Sequence, residues 1–326
     1  MKNLLMVAMV ATAFGIGMSS CNNDDEIKPR EEAKDEIPAN IATEIGTRGM
    51  SVGPLSLFKD GDQLGLFATR GNLGENYNDF PGYSNVKSIR QGGVWLQEPP
   101  IYLTGENCKI YAYHPYKAGL KDGANIDIEA TSQTDYMYGT HNDGDRRVNS
   151  DNPNVLIQMR HALSLVQFNI YKKNYNAVGK LTRIAIKGNG SLYKTAKLNC
   201  QTGVVVVKDV AEANGIVVEN TASGLVPSIG TTVGLDESAF PKVMNLPVAS
   251  TMRDGDVTAT FTIDGKDYVY KFAAGTTWES GKKYTYTIVL NGTSINIDGD
   301  GSGTGDSDVN IDEWGNTSGN PGGTLK

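Results

Sequence analysis

Histidine, cysteine and basic excess are all scarce in this chain, and each scarcity removes a class of function. Three histidines stand among 326 residues, at His114, His141 and His161. They are too widely spaced for a metal-ligand motif. G-x-S-x-G, P-loop and H-E-x-x-H runs are all missing, so no motif marks an enzyme and no cofactor or metal is implied. The paired carboxylates of glycoside hydrolysis are a spatial feature, and nothing here points to a pair. Lysine and arginine total 30 against 37 acidic residues, for a net charge of −7. Without a basic patch, nucleic acid is not an expected partner. The three cysteines, Cys21, Cys108 and Cys200, are too few for a disulfide framework. Cys108 and Cys200 read as buried free thiols, although an oxidising compartment would permit a bridge between them. No apolar run beyond residue 20 is long enough to cross a bilayer. No long segment repeats apolar residues with a period of 3.6, so little helix is expected.

What is present begins at the N-terminus. Lys2 precedes an apolar run, Leu4 to Met18, too short for a stable spanning helix. Met18-Ser19-Ser20-Cys21 follows. Small residues before a cysteine look like a bacterial lipobox. Residues 1–20 thus read as a lipoprotein signal peptide, cut before Cys21, whose thiol would carry the lipid. Each buried methylene of such an anchor contributes about 0.8 kcal/mol. Residues 21–48 are acidic and polar, opening Asn22-Asn23-Asp24-Asp25-Glu26. They have too little apolar surface to offset ordering entropy and read as a disordered linker or propeptide. Acidic residues just after a lipidated cysteine resemble a surface-export signal. At the end of the linker, Arg48 followed by Gly49 suits a trypsin-like protease.

Beyond residue 48 the chain is long enough for two domains, expected over 49–152 and 153–326. Abundant tyrosine, threonine and valine favour strands. Leu57–Ala68 reads as an Asp-Gly turn leading into a short strand, and Gly93–Trp95, Ile101–Leu103, Cys108–Tyr116 and Tyr136–Thr140 read as further strands of the first domain. Asn72–Asn85 reads as a Gly/Asn-rich loop, and the polar stretch His141–Asn154 as the boundary. Val155–Tyr171, Leu181–Lys187, Gly203–Val210 and Lys283–Leu290 read as strands of the second domain, and Ala211–Pro241 as loop. The clearest hairpin joins Val257–Ile263 to Tyr268–Phe272 through Asp264-Gly265. Asp298–Asp308 is an acidic Gly/Ser spacer. Its opening fits an EF-hand loop, but Val309 occupies the position that needs a bidentate glutamate, so the spacer reading is preferred. Val309–Trp314 reads as one further short strand.

Several short stretches, in this order, resemble the fimbrillin family of type V pilus subunits. Gly61-Asp62-Gln63-Leu64-Gly65 is similar to the family's early GD-x-hydrophobic-G strand. Tyr111-Ala112-Tyr113-His114-Pro115-Tyr116 is similar to its YAYYPY segment, and Tyr136-Met137-Tyr138-Gly139 to its lMYG piece. His161-Ala162-Leu163-Ser164, Gly281-Lys282-Lys283-Tyr284-Thr285-Tyr286 and Ile311-Asp312-Glu313-Trp314 match its HALA, GK-x-Y-x-Y and I-x-x-W segments. The resemblance implies an all-β fold of two transthyretin-like β-sandwich domains in tandem. It implies export as a surface-exposed outer-membrane lipoprotein with Cys21 lipidated, cleavage between Arg48 and Gly49 by a trypsin-like protease, and assembly into a fimbrium with other pilus subunits. Removal of an N-terminal strand, here Ile41–Thr47, would bare a groove. A donor strand carrying Val309, Ile311 and Trp314 would fill a groove of this kind in a neighbour. The alternative is a lipid-anchored monomeric binding module for glycan or host protein, using Trp95, Tyr77 and Tyr83 as exposed aromatics. A secreted hydrolase is the least supported reading.

Overall fold

The computed structural model describes residues 36–45, 57–142, 147–188, 190–210, 215–219, 240–248, 256–292, 294–297 and 309–314. All lie in the larger of two units, Glu32–Lys326. The signal segment, Cys21, Arg48, Gly49 and the Asp298–Asp308 spacer lie outside the described residues.

Strands dominate, as composition predicts. The first ten are β1 (Ile37–Pro38), β2 (Asn40–Ile45), β3 (Gln63–Thr69), β4 (Val86–Gln91), β5 (Val94–Glu98), β6 (Tyr102–Leu103), β7 (Lys109–His114), β8 (Ile126–Glu129), β9 (Met137–His141) and β10 (Asn154–His161). Seven of these form one sheet in the order β2-β10-β9-β7-β3-β4-β5. Alternate residues of β3 and β7 feed two different cores. Leu64, Leu66, Ala68, Ile110 and Ala112 join the interior of this sheet, together with Val86, Ile101, Leu103, Met137, Ile157 and Met159. Phe67, Tyr111 and Tyr113 point the other way, into a second core. A strand buried on both faces loses its polar alternation, and the runs Leu-Gly-Leu-Phe-Ala and Ile-Tyr-Ala-Tyr follow from that.

Eleven strands follow: β11 (Ser164–Lys173), β12 (Leu181–Gly188), β13 (Tyr193–Leu198), β14 (Val205–Val210), β15 (Ile216–Glu219), β16 (Lys242–Asn245), β17 (Val257–Ile263), β18 (Lys266–Lys271), β19 (Lys282–Asn291), β20 (Ser294–Ile297) and β21 (Val309–Glu313). One sheet runs β16-β11-β19-β20, with β21 also on β19, and another runs β15-β12-β17-β18. They pack face to face as a β-sandwich. Phe168 of β11 meets Phe261 of β17 edge to face at 4.8 Å between ring centroids. Trp278, Phe272 and Tyr286 fill the same core. The Asp264-Gly265 hairpin is present, with φ of 48° and 76°. Both central residues have positive φ, as a tight two-residue hairpin turn requires. Asp264 has a second task. Its carboxylate accepts from the backbone N–H of Gly179 at 2.7 Å and of Lys180 at 2.9 Å, and those bonds hold its pKa below the ordinary value.

Several segments differ from the sequence reading. The expected boundary at 152/153 falls between β9 and β10, which pair antiparallel from Ile157↔His141 to His161↔Met137. β10 therefore belongs with the strands before it, and the Val155–Tyr171 run breaks at Ala162-Leu163. Conversely, β8 pairs with β13 in a three-stranded sheet, β14-β13-β8. β15 lies inside the stretch expected as loop, paired antiparallel with β12. Within Asn72–Asn85, two 3-10 turns, Tyr77–Asp79 and Pro81–Tyr83, drive both tyrosines into the core. Short strands completed by distant partners carry little local signal.

Gly139 lets β9 and β10 approach closely, since a Cβ there would lie 2.1 Å from the Gln158 carbonyl oxygen. Gly139→Ala should cost about 3 kcal/mol, as backbone has to shift. An unchanged urea midpoint would refute this. His114, on β7, is buried, with Nδ1 2.9 Å from the Gln63 carbonyl oxygen. Burial lowers its pKa from the ordinary 6.5, while the Gln63 carbonyl and the charges of Asp62 and Asp135 act in the opposite direction. The unfolded chain then binds the proton first. His114 should weaken stability as pH falls below about 6.5, towards its folded pKa. His114→Phe should flatten the melting-temperature profile between pH 7 and pH 5. A slope identical to that of the unmutated protein would contradict the assignment.

Candidate functional site

Two edges of the sheets are covered by segments from opposite ends of the chain. The first is the seam of the seven-stranded sheet. β2 adds to β10 in parallel, with Asn40↔Asn154, Ile41↔Val155, Thr43↔Ile157 and Ile45↔Met159 in register. It is the terminal strand of the sheet on that side, and β5 is terminal on the other. The sheet rolls until these two strands meet, where the Trp95 indole N–H donates to Thr43 Oγ1 at 3.0 Å. Side chains of β2 alternate. Ile41 and Ile45 are buried at 3% and 7% exposure, and Asn40, Ala42 and Glu44 face outward. Ala39, just before the strand, is buried too. Backbone bonds fix the entry, from Ala39 N–H to the Ile101 carbonyl at 2.8 Å and from Asn40 N–H to the Pro153 carbonyl at 2.9 Å. On the outer face, Asn40 Nδ2 donates to Asn154 Oδ1 at 2.9 Å. Phe58, beyond the linker, packs edge-on against Trp95 and His114, with centroids at 5.3 and 5.4 Å. A cut between β2 and Phe58 would therefore leave Phe58 in place under the seam.

The second edge belongs to β19. β11 occupies its other side in parallel. β20 pairs with Ile288–Asn291 and β21 with Lys282–Tyr286. The register sets Asp312 opposite Lys283, a lysine with no exposed surface. Trp314 follows the strand directly. Its backbone N–H donates to the Gly281 carbonyl at 2.6 Å, and its ring stacks flat on His161, with centroids 3.9 Å apart and planes 6° from parallel. His161 Nδ1 sits 2.9 Å from Asp135 Oδ1. Beneath this clasp, Trp314 Nε1, His161 Nε2 and Asp135 Oδ2 are buried without a hydrogen-bond partner among the described residues.

Among the donor-strand residues expected from sequence, Val309 and Ile311 stand on β21 and Trp314 is its clasp, on the chain's own sheet. Cys21, Arg48 and Gly49 lie outside the described residues. Trp95, Tyr77 and Tyr83, expected as exposed aromatics, are buried at 4%, 0% and 1% exposure. They are core residues. The Tyr77 hydroxyl donates to the Glu106 carbonyl and Tyr102 N–H donates to the Tyr83 hydroxyl. Cys108 and Cys200 are buried free thiols, each raised to about 12 by burial. No cluster of His, Cys, Asp and Glu suited to a metal ion occurs among the described residues. No described helix is long and apolar enough to cross a membrane. The sequence reading missed the clasp partners Asp135 and His161. The only signal for them was the spacing-free coincidence of a histidine at the end of one strand and a tryptophan at the end of another.

A family model described as fimbrillin-like matches residues 47–314. A curated relative from Bacteroides ovatus, Fim1C, named as a fimbrium tip subunit, is 31% identical over 127 residues. That match covers 36% of this chain and 22% of the relative, so the chain spans about a fifth of that protein's length. Two solved structures share the fold. One, from Bacteroides ovatus ATCC 8483, has TM-score 0.60 at 16% identity, covering 86% of this chain and 98% of the other. The second, from Bacteroides uniformis ATCC 8492, has TM-score 0.55 at 17% identity, covering 86% and 100%. Both are named for cell adhesion.

The clasp geometry predicts a local rather than global effect of Trp314→Ala. Loss of a buried tryptophan costs about 3 kcal/mol or more. Amides of β21 should then exchange hydrogen roughly 100-fold faster, while those of the β17–β18 hairpin keep their protection. Uniform acceleration across both would show that β21 is integral to the sandwich.

Proposed function

Since the chain belongs to the fimbrillin-like family, we propose that it is a structural and adhesive subunit of a type V pilus, built as two transthyretin-like sandwich units and assembled by strand exchange. In this reading Cys21 carries a lipid that holds the precursor at the outer membrane, exposed to the outside. A trypsin-like protease cuts between Arg48 and Gly49. Cutting there separates β1 and β2 from the rest of the chain, and the strand of a neighbouring subunit takes their place.

The observation that carries the proposal is the position of β2. It ends at Ile45, three residues before the arginine, and it lies at the edge of its sheet in a parallel ladder. Among the described residues it is the outermost strand on the β10 edge, and its departure would leave a row of unpaired backbone groups, which templates another strand. It would also vacate the seats of Ala39, Ile41 and Ile45. Burial of an Ile side chain contributes about 1.5–3 kcal/mol, so the empty seam favours any apolar, alternating strand that reaches it. The tail supports the same reading. The residues that join β21 to β20 are rich in Gly, Ser and Asp.

The cell-surface protein should start at Gly49 and run as a ladder of high-mass species on a non-boiled gel. Arg48→Ala should retain the lipidated start at Cys21 and run as monomer. A ladder undiminished by Arg48→Ala would exclude cleavage there as the trigger. A lipidated monomer from the unmutated gene would leave an anchored surface protein that does not polymerise.

A further inference from the structure

β14 ends the three-stranded sheet β14-β13-β8, and among the described residues no strand pairs with its outer edge. Four consecutive valines, Val204 to Val207, lead into the strand and open it. Val205 and Val207 pack inward against the core of the sandwich. Val204 and Val206 face outward at 55% and 60% exposure. The strand is therefore apolar on both faces and open along one side, a combination that sheet edges normally avoid. Other terminal strands of this protein do avoid it. β8, at the far end of the same sheet, carries Asp127 outward, paired with Lys197 at 2.6 Å. β18 exposes Val269 between Asp267 and Lys271 on the same face. Val94 and Leu96 are exposed on β5, but that strand meets β2 at the seam. We infer that β14 is a lateral contact surface, taken by β14 of a second copy of this chain in an antiparallel pair centred on Val205, so that two three-stranded sheets join into one of six strands. The contact lies apart from the seam and does not need the cut at Arg48.

The backbone decides which groups the edge offers. The Val204 carbonyl accepts from the Asn199 N–H at 3.0 Å, so Val204 and, two residues on, Val206 turn their backbone groups toward β13. Those of Val205 and Val207 turn to the open edge, because the direction alternates along an antiparallel strand. With Val205 opposite Val205 of the second copy, the two exchange a pair of N–H to carbonyl bonds. Val204 then lies opposite Val206 on the outer face, twice over, and the exposed valines cover one another. Regular pairing stops just beyond. Lys208 is passed over between Ala196↔Val207 and Thr195↔Asp209, and a bulge of this kind bends the strand and disrupts its ladder. Centring the pair on Val206 instead would set the bulged Lys208 against Val204. A parallel pair in register would oppose Lys208 to Lys208 and Asp209 to Asp209, and like charges directly opposite are destabilising.

A second copy suits this edge because two-fold pairing asks only that a strand fit itself. The chain carries a net charge of −7, so copies repel except where they meet through an uncharged surface, and residues 203–207 carry no charge. Five residues a side is far below the about 20–30 a side of a standard interface, so one such contact is weak. In subunits joined in series, as proposed above, the contact repeats and its strength accumulates.

The experiment traps the contact covalently. All chains are full length and carry Cys21→Ser and Arg48→Ala, so neither a lipid nor strand exchange enters the result. One chain carries Val204→Cys, and another, with a longer affinity tag, carries Val206→Cys. They are oxidised at high concentration, separately and mixed, and run without reductant. The two positions would form a non-hydrogen-bonded pair, with Cα atoms about 4.5 Å apart, a distance that a disulfide spans. Cys108 and Cys200 are buried, with thiols raised to about 12, and the background chain should give no dimer. The mixture should give a mixed dimer at least about tenfold above either homodimer, since disulfide geometry tolerates little displacement. An excess of the Val206→Cys homodimer would overturn the register, and no linkage in any mixture would remove β14 as a contact between copies. Adding Val206→Lys to the Val204→Cys chain should cut the mixed dimer about tenfold at an unchanged urea midpoint, because the lysine faces a valine of the second copy. Undiminished linkage would reduce the result to collision of exposed thiols and overturn the inference. Strand exchange is read as a ladder of the cut protein and this contact in the uncut one, so either can fail alone.

Discussion

The parallel ladder between Asn40–Ile45 and Asn154–Met159 is the contact on which the N-terminal sheet depends. Without it the rolled sheet has an open side. One wall of that opening is the β10 backbone, and the other carries the Trp95 indole. An edge of this kind is normally blunted by charge, proline or a covering loop. Here it is covered by a strand from the same chain, tied down by few side-chain bonds and placed just before an arginine in the sequence. Phe58 packs under Trp95, so the chain beyond residue 56 makes core contacts of its own at the seam.

β10 connects the two ends of the molecule's chemistry. Its first six residues hold β2, and its last, His161, carries the face on which Trp314 stacks. Two residues later the chain bends into β11, buried along most of its length and paired in parallel with β19. The strand that seats one terminal segment thus continues directly into the sheet that seats the other. Main-chain ladders hold both segments, β2 along β10 and β21 along β19, and the clasp at Trp314 buries three polar atoms that have no partner among the described residues.

Much of the strand order could be read from sequence because strands with one wet face alternate. β17, β18 and the Asp264-Gly265 turn are the clearest case, and the turn works because both its residues adopt positive φ. Strands without that contrast were harder to read. β15 has four residues and is a strand only because β12 lies beside it. β4 has no strong pattern until β3 and β5 flank it. Tyr77 and Tyr83 stand among polar neighbours and Trp95 on a short strand, so all three could be read as surface aromatics, yet turns and sheet curvature carry them inward. Aromatics in polar loops are ambiguous in sequence, since burial depends on what the loop folds over.

By itself, then, the sequence determined that this is a β protein with little helix, and where its sharpest hairpin turns. Those are local matters of side-chain alternation and backbone φ, decided within a few residues. Only the tertiary structure decided that β10 joins the sheet before it, that β8 joins a strand from the far half of the chain, and that the Ala39–Ile45 segment closes a seam against Trp95. The last two bring together residues far apart in sequence, Glu129 with Thr195 and Thr43 with Trp95. Edge pairing through backbone groups is nearly blind to side-chain identity, so no local pattern announces which strand will lie beside which.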